Sequence, residues 1–62
     1  MKNNIKILRK ERQLTQQQLA KLLGVSRQTI ISIELGKYDP SLPLAFKISK
    51  ILEKSIENIF IY

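Results

Sequence analysis

The stretch that decides the fold is Thr15–Leu35, TQQQLAKLLGVSRQTIISIEL. It predicts two short helices separated by a tight turn at Gly24, because glycine readily takes the left-handed conformation that ends a helix. The second helix opens with a polar run, SRQT, at residues 26–29. A helix pair of this kind can place its second helix in the major groove of DNA, where Arg and Gln side chains read base edges.

Capping signals frame both helices of this pair. Thr15 followed three residues later by Gln18 predicts a capping box at the start of the first helix. Ser26 predicts the cap of the second helix, and Gly36 is expected to end it. The buried stripe of the first helix is expected to consist of three leucines, Leu19, Leu22 and Leu23.

Further helices are predicted on both sides of this pair. Apolar spacing and capping residues predict them at about 4–12, with Asn3 or Asn4 as the cap, from a cap at Ser41, and from a cap at Ser55 through Ile59. The β-prone end, residues 60–62, could be extended as a short C-terminal strand. We therefore expect one all-α domain over residues 1–62, a compact five-helix fold around a helix-turn-helix core at residues 15–35.

Charge and length narrow the classes of partner. Eleven Lys and Arg against five Asp and Glu give a net charge of +6, which fits a partner that carries phosphate. A basic surface that serves only solubility is the alternative. The longest apolar run, residues 59–62, is far too short to span a membrane, and the polar start leads into no signal-peptide core. We expect a cytoplasmic protein.

The composition argues against an enzyme. The chain has no His or Cys, and therefore no ready general base, thiol nucleophile or usual transition-metal ligand. Its two glycines form neither a phosphate-binding loop nor a dinucleotide fingerprint. We expect no catalytic step, no metal, no cofactor and no small-molecule substrate.

The polar side of the second helix of the pair is the candidate site for reading DNA bases, through Arg27, Gln28, Thr29 and Ser32. Gln28 can form two hydrogen bonds with adenine, and Arg27 can bind guanine in the same way or hold a phosphate instead. Thr29 is the third residue of its helix, so its hydroxyl could serve capping instead. Ile31 is expected to be exposed, where it could touch a thymine methyl or a partner subunit.

Candidate contacts to the DNA backbone are Gln16, Lys37 and Tyr38. Gln16 begins a helix, and helix N-termini favour anions. The alternatives are a solvated Gln16, a Lys37 that complements the helix dipole and a packed Tyr38 ring.

Glu34 is expected on the inward side of its helix, where a carboxylate needs a cation. Arg9 lies on the inward side of the first helix and is the expected partner. We therefore assign Arg9 and Glu34 to a structural salt bridge.

A longer pattern spans residues 14–42: L-T-Q-x-x-L-A-x-x-L-G-V-S-R-Q-T-I-x-x-I-E-x-G-K-Y-x-P-S-L. It resembles the helix-turn-helix of phage repressor and Cro type proteins, the xenobiotic response element family, and in particular its small stand-alone bacterial or phage members. The resemblance implies a five-helix fold, a homodimer and operator DNA. It also implies a phosphate contact at Gln16, the Arg9–Glu34 salt bridge, and a dimer interface at the C-terminal residues Phe60, Ile61 and Tyr62.

These observations favour a sequence-specific DNA-binding transcriptional regulator, most simply a repressor. A homodimer would place one helix of each protomer in successive major grooves about 34 Å apart, on an inverted repeat. The alternative is a protein-interaction module such as an antitoxin-like subunit, which the apolar residues Ile31, Leu35 and 60–62 would serve.

Overall fold

The fold was obtained as a computed structural model, which describes residues 1–61; Tyr62 and its expected interface role lie outside them. The helices are α1 (Ile5–Glu11), α2 (Gln16–Leu23), α3 (Arg27–Glu34), α4 (Leu42–Leu52) and α5 (Ile56–Ile59). Two short strands, β1 (Lys2–Asn3) and β2 (Phe60–Ile61), pair in an antiparallel ladder. The predicted mostly helical, five-helix fold is confirmed. No helix in residues 1–61 combines the length and apolarity that crossing a membrane requires.

The helices begin where the capping residues predict. In the capping box of α2, the Gln18 amide donates to Thr15 Oγ1 at 3.0 Å and the Thr15 amide donates to Gln18 Oε1 at 2.8 Å. Serine hydroxyls accept from the first turns of the three following helices, at Ser26, Ser41 and Ser55. At α1 the Ile5 amide donates to Asn3 Oδ1 at 3.1 Å, so Asn3 and not Asn4 supplies the side-chain cap.

Four of the residues from 1 to 61 have a positive φ. Gly24 (+73°) and Gly36 (+76°) end α2 and α3 as the sequence predicts, and a Cβ at Gly36 would approach the Met1 carbonyl oxygen to 3.2 Å. Gln13 (+58°) and Glu53 (+54°) adopt the same left-handed conformation after α1 and α4. The sequence does not predict these two conformations, because glutamine and glutamate have no preference for a positive φ.

The core forms where the inner faces of all five helices meet. Its members are nearly inaccessible to solvent: Ile5, Leu19, Ala20, Leu23, Ile30, Ile33, Ile48, Leu52 and Ile59. The prediction that Leu22 belongs to this core is wrong, since Leu22 is 60% exposed. At about 100° per residue, Ala20 flanks Leu19 and Leu23 on their inner side, whereas Leu22 is rotated about 105° from the centre of that face.

The two ends of the described chain meet beside α3. The Asn4 amide donates to the Ile59 carbonyl oxygen at 2.8 Å, and the Asn3 side-chain amide donates to the Ile33 carbonyl oxygen at 2.8 Å. The expected C-terminal strand exists, but its partner is β1 of the same chain. The sequence did not predict β1, because two polar residues show no strand alternation. The edge of β2 that faces β1 is therefore occupied within the chain.

We predict that Gln13→Gly stabilises the domain. A non-glycine residue in the left-handed region costs about 1–2 kcal/mol, and glycine's greater freedom in the unfolded chain returns part of that, so the net gain should be about 0.5–1 kcal/mol. Urea unfolding followed by circular dichroism measures it. The control is Gln17→Gly, in the first turn of α2, where glycine relieves no strain and adds freedom to the unfolded chain, so it should destabilise the domain. Equal destabilisation by both substitutions would contradict the strain at Gln13.

Candidate nucleic-acid interface

One side of α3 is left uncovered by the rest of the fold. Gln28 is exposed there, and Thr29 and Ser32 are partly exposed beside it. These three residues, the reading face, line a shallow concavity together with Ser26 and Tyr38. Hydrogen-bonding groups therefore point outward from a single α-helix, and an α-helix is an element that the major groove admits.

Capping engages one member of the reading face. The Thr29 amide donates to Ser26 Oγ at 3.1 Å, and the two hydroxyl oxygens lie 3.0 Å apart. The Thr29 hydroxyl is therefore held by the cap, as the sequence analysis considered. Gln28 is the most exposed of the three residues of this face.

The loop after α3 returns toward the same side. The Lys37 and Tyr38 amides both donate to the Ser32 carbonyl oxygen, at 3.0 and 3.3 Å. Both side chains are exposed. Tyr38, which the sequence analysis assigned to the DNA backbone or to a packed position, borders the reading face.

Ile31 is not exposed as expected. It is partly buried on α3, so less of its surface is available to a thymine methyl or a partner subunit than the sequence predicts. Leu35, one turn further along, is exposed as expected.

Arg27 lies apart from the reading face. It borders a second concavity, which α1 and the first turns of α2 and α3 enclose. We call this surface the basic cleft. Its lining residues are Lys6, Arg9, Lys10, Gln13, Leu14, Thr15, Gln16, Gln17 and Arg27. Arg27, predicted to read bases together with Gln28, Thr29 and Ser32, thus borders a different concavity from those three residues.

A buried ion pair fixes α3 against α1. Arg9 Nε donates to Glu34 Oε2 at 2.7 Å, and the two side chains are only 7% and 5% exposed. A second guanidinium nitrogen, Nη2, lies 3.3 Å from Glu34 Oε1, and Nη1 donates to the Leu14 carbonyl oxygen at 2.8 Å. Arg9 thus links α1, α3 and the turn before α2 through one planar group, with the forked geometry that favours carboxylate binding.

Gln16 joins the same network. Its Nε2 donates to Glu34 Oε1 at 3.1 Å, and the residue is partly buried. One N–H of the amide is therefore committed to Glu34, whereas the sequence analysis assigned the side chain to a phosphate. The other N–H remains available for such a contact, because a glutamine amide carries two donors.

Sequence reasoning missed Lys6 and Lys10. The two lysines are four residues apart on α1, a spacing that places both on one helix face. That spacing was visible in the sequence. Only the fold, however, shows that this face lies across from Arg27.

Comparisons with known proteins identify the fold. A profile described as helix-turn-helix matches residues 5–59. The chain belongs to this helix-turn-helix family. It is a transcriptional regulator with a helix-turn-helix DNA-binding domain, of the type that the sequence resemblance indicated. Families of this kind act by binding rather than by catalysis.

Several relatives of similar length come from archaea. The chain is 66% identical over 62 residues to an uncharacterized HTH-type transcriptional regulator of Methanocaldococcus jannaschii, covering all of this chain and 94% of that protein. It is 48% identical over 62 residues to one of Archaeoglobus fulgidus, covering all of this chain and 87% of that protein. An immunity repressor protein of Bacillus phage phi105 is 53% identical over 38 residues, which are 61% of this chain and 26% of that protein.

We predict that Arg9 and Glu34 contribute to the free energy of unfolding as a coupled, buried ion pair. Arg9→Met alone should reduce the free energy of unfolding by about 3–5 kcal/mol, because it strands the Glu34 carboxylate. The double variant Arg9→Met/Glu34→Leu should regain a large part of that loss, because no buried charge remains. Urea unfolding of the wild type, both single variants and the double variant gives the coupling energy.

Two results of this double-mutant cycle would contradict the prediction. A loss below about 1 kcal/mol for Arg9→Met, typical of an exposed ion pair, would contradict the buried pair. A double variant no more stable than either single variant would do the same.

Proposed function

We propose that this helix-turn-helix protein is a sequence-specific repressor that binds operator DNA through the reading face of α3. The observation that carries the proposal is that Gln28 is exposed on a side of α3 that the rest of the fold leaves uncovered. A glutamine can form two hydrogen bonds with adenine N6 and N7, which is worth about 1–3 kcal/mol of base discrimination. Repression would follow from occupancy of the site alone. The immunity repressor among the relatives supports this direction of regulation.

The DNA backbone contacts that we propose are Gln16, Lys37 and Tyr38. Gln16 has its remaining amide N–H at the start of α2. Lys37 and Tyr38 are exposed on the loop that folds back to Ser32, beside the reading face. This arrangement supports contacts on the groove's rim, because phosphates border the groove that α3 would enter.

We further propose that two copies bind an inverted repeat, with their α3 helices about 34 Å apart. The surface that supports a dimer is apolar and adjoins the C-terminal strand. Leu42 is 64% exposed and lines a groove with Ile56 and Phe60, while Ile61 is about half exposed and borders a separate concavity with Leu35. Two chains of charge +6 repel each other, so association requires such an apolar contact.

The first test is the effect of Gln28→Ala and Lys37→Ala on binding to DNA selected from a random pool. Gln28→Ala should lose preference for the selected duplex while binding to a scrambled duplex remains nearly unchanged, because it removes a base contact. Lys37→Ala should weaken binding to both duplexes equally, because phosphates carry no sequence information. Fluorescence anisotropy over a range of salt concentrations measures both effects.

Two results would refute the base-reading proposal. An equal loss on all sequences for Gln28→Ala would show that this residue reads no base. Wild-type binding with a flat salt response and no sequence preference would favour the protein-interaction module instead, for which exposed Leu35 and Ile61 are the available surface.

The dimer is tested with Leu42→Glu. A buried charge on each side of a two-fold interface should shift the protein to monomer and weaken binding to a full inverted repeat more than to a half-site. Sedimentation equilibrium gives the mass. The matched control is Leu22→Glu, because Leu22 is similarly exposed but lies on α2. A wild-type monomer at all concentrations, or the same dissociation by Leu22→Glu, would contradict this interface.

A further inference from the structure

The basic cleft gathers three cations that have no carboxylate partner within residues 1–61. Ion pairs in this part of the chain join Arg9 to Glu34, Arg12 to Glu53 and the N-terminal amine to Asp39. None involves Lys6, Lys10 or Arg27, and all three side chains are exposed. The protein thus uses Arg9 and Arg12 in its structure and leaves these three cations facing solvent.

The shape of the cleft concentrates this charge. Lys6 and Lys10 come from one wall, on α1, and Arg27 comes from the other, at the first residue of α3. The cleft has a volume of about 520 Å³, and its described lining includes glutamine amides and a threonine but no carboxylate. Like charges placed around a concave surface repel each other and attract an anion, which relieves the repulsion.

The basic cleft and the reading face share no lining residue. Consecutive residues of a helix are about 100° apart, and accordingly Arg27 borders the cleft with residues of α1 whereas Gln28 borders the concavity with Tyr38. An arginine directed toward two lysines is in surroundings suited to a phosphate, whereas a guanine edge offers only two neutral acceptors.

We propose that the basic cleft receives a phosphodiester of the DNA backbone, with Lys6, Lys10 and Arg27 as its ligands. Arg27 is then a phosphate contact and not a base reader, which resolves the alternative that the sequence left open. The inference rests on the proposed DNA binding of α3. With α3 in the major groove, the strand that borders the groove on the side of α1 runs along the cleft. Gln17, exposed at the first turn of α2, adds an amide donor to the same wall.

The test compares the salt dependence of binding for matched variants on the selected and the scrambled duplex. Each lost phosphate contact should reduce the magnitude of the slope of log K against log salt by about 0.9. Because the three cations share one phosphodiester, Arg27→Ala and the double variant Lys6→Ala/Lys10→Ala should each reduce it by up to about 0.9, with equal fold losses on both duplexes. The control is Lys54→Ala, which removes the same charge from outside both surfaces and should leave the slope nearly unchanged.

Arg27→Lys separates a phosphate contact from base reading. A phosphate accepts lysine as a point charge, whereas replacing an arginine that binds guanine in a forked geometry is not conservative. We expect Arg27→Lys to keep both the affinity and the sequence preference of the wild type. Thermal unfolding of each variant verifies the fold, which these exposed positions should leave intact.

Two outcomes would overturn the inference. If Arg27→Ala loses preference for the selected duplex in the manner of Gln28→Ala, Arg27 reads a base. If the slopes of the cleft variants equal that of Lys54→Ala, no phosphate occupies the cleft. Either result leaves wild-type DNA binding in place, whereas failure of the proposed function itself would appear as wild-type protein that binds neither duplex in a salt-dependent way.

Discussion

The position of α3 depends on one buried ion pair. Arg9 holds Glu34 between α1 and α3, while Gln16 and the Leu14 carbonyl oxygen satisfy the remaining hydrogen-bonding groups. A small domain buries only about 60% of its unfolded surface, so packing alone has little excess stability with which to define one orientation. The forked contact between Arg9 and Glu34, the last residue of α3, fixes that orientation. It turns the inner face of the helix into the core and leaves the opposite side for a ligand.

The cations fall into two groups, those that pair with groups of the fold and those that face solvent. This difference determines where the surface is basic. Arg12 serves the fold as Arg9 does: its Nε donates to the Leu52 carbonyl oxygen at 3.2 Å, and its guanidinium pairs with the exposed Glu53 carboxylate. The cations without such partners in the described chain include the three of the basic cleft, next to the neutral reading face. A cationic surface beside a neutral hydrogen-bonding one suits a ligand whose backbone is anionic and whose interior edges are not. In the proposed mode of binding, the same division separates affinity, which we assign to the cations, from sequence preference, which we assign to Gln28.

The sequence predicted what depends on local chemistry and missed what depends on the arrangement of elements. The capping box at Thr15 and the glycine ends follow from hydrogen bonding and backbone sterics within one turn, so they were readable. The prediction that Leu22 is buried was wrong, because a pattern of leucines does not indicate which side of a helix the neighbouring helix covers. The pairing of β1 with β2 joins opposite ends of the described chain, and no local signal encodes it. The adjacency of Arg27 and Gln28 in the sequence does not show that the two residues border different concavities, because neighbouring side chains on a helix diverge by about 100°.

The most direct measurement of the central claim, that the uncovered side of α3 meets DNA, is an NMR titration of isotope-labelled protein with its selected duplex. The account predicts that the largest chemical-shift changes occur at the backbone amides of Gln28, Thr29 and Ser32 and at the Gln28 side-chain amide. Amides near Leu22 should change little. Changes confined to the surface around Leu42 and Ile61, with the reading face unaffected at saturation, would contradict it.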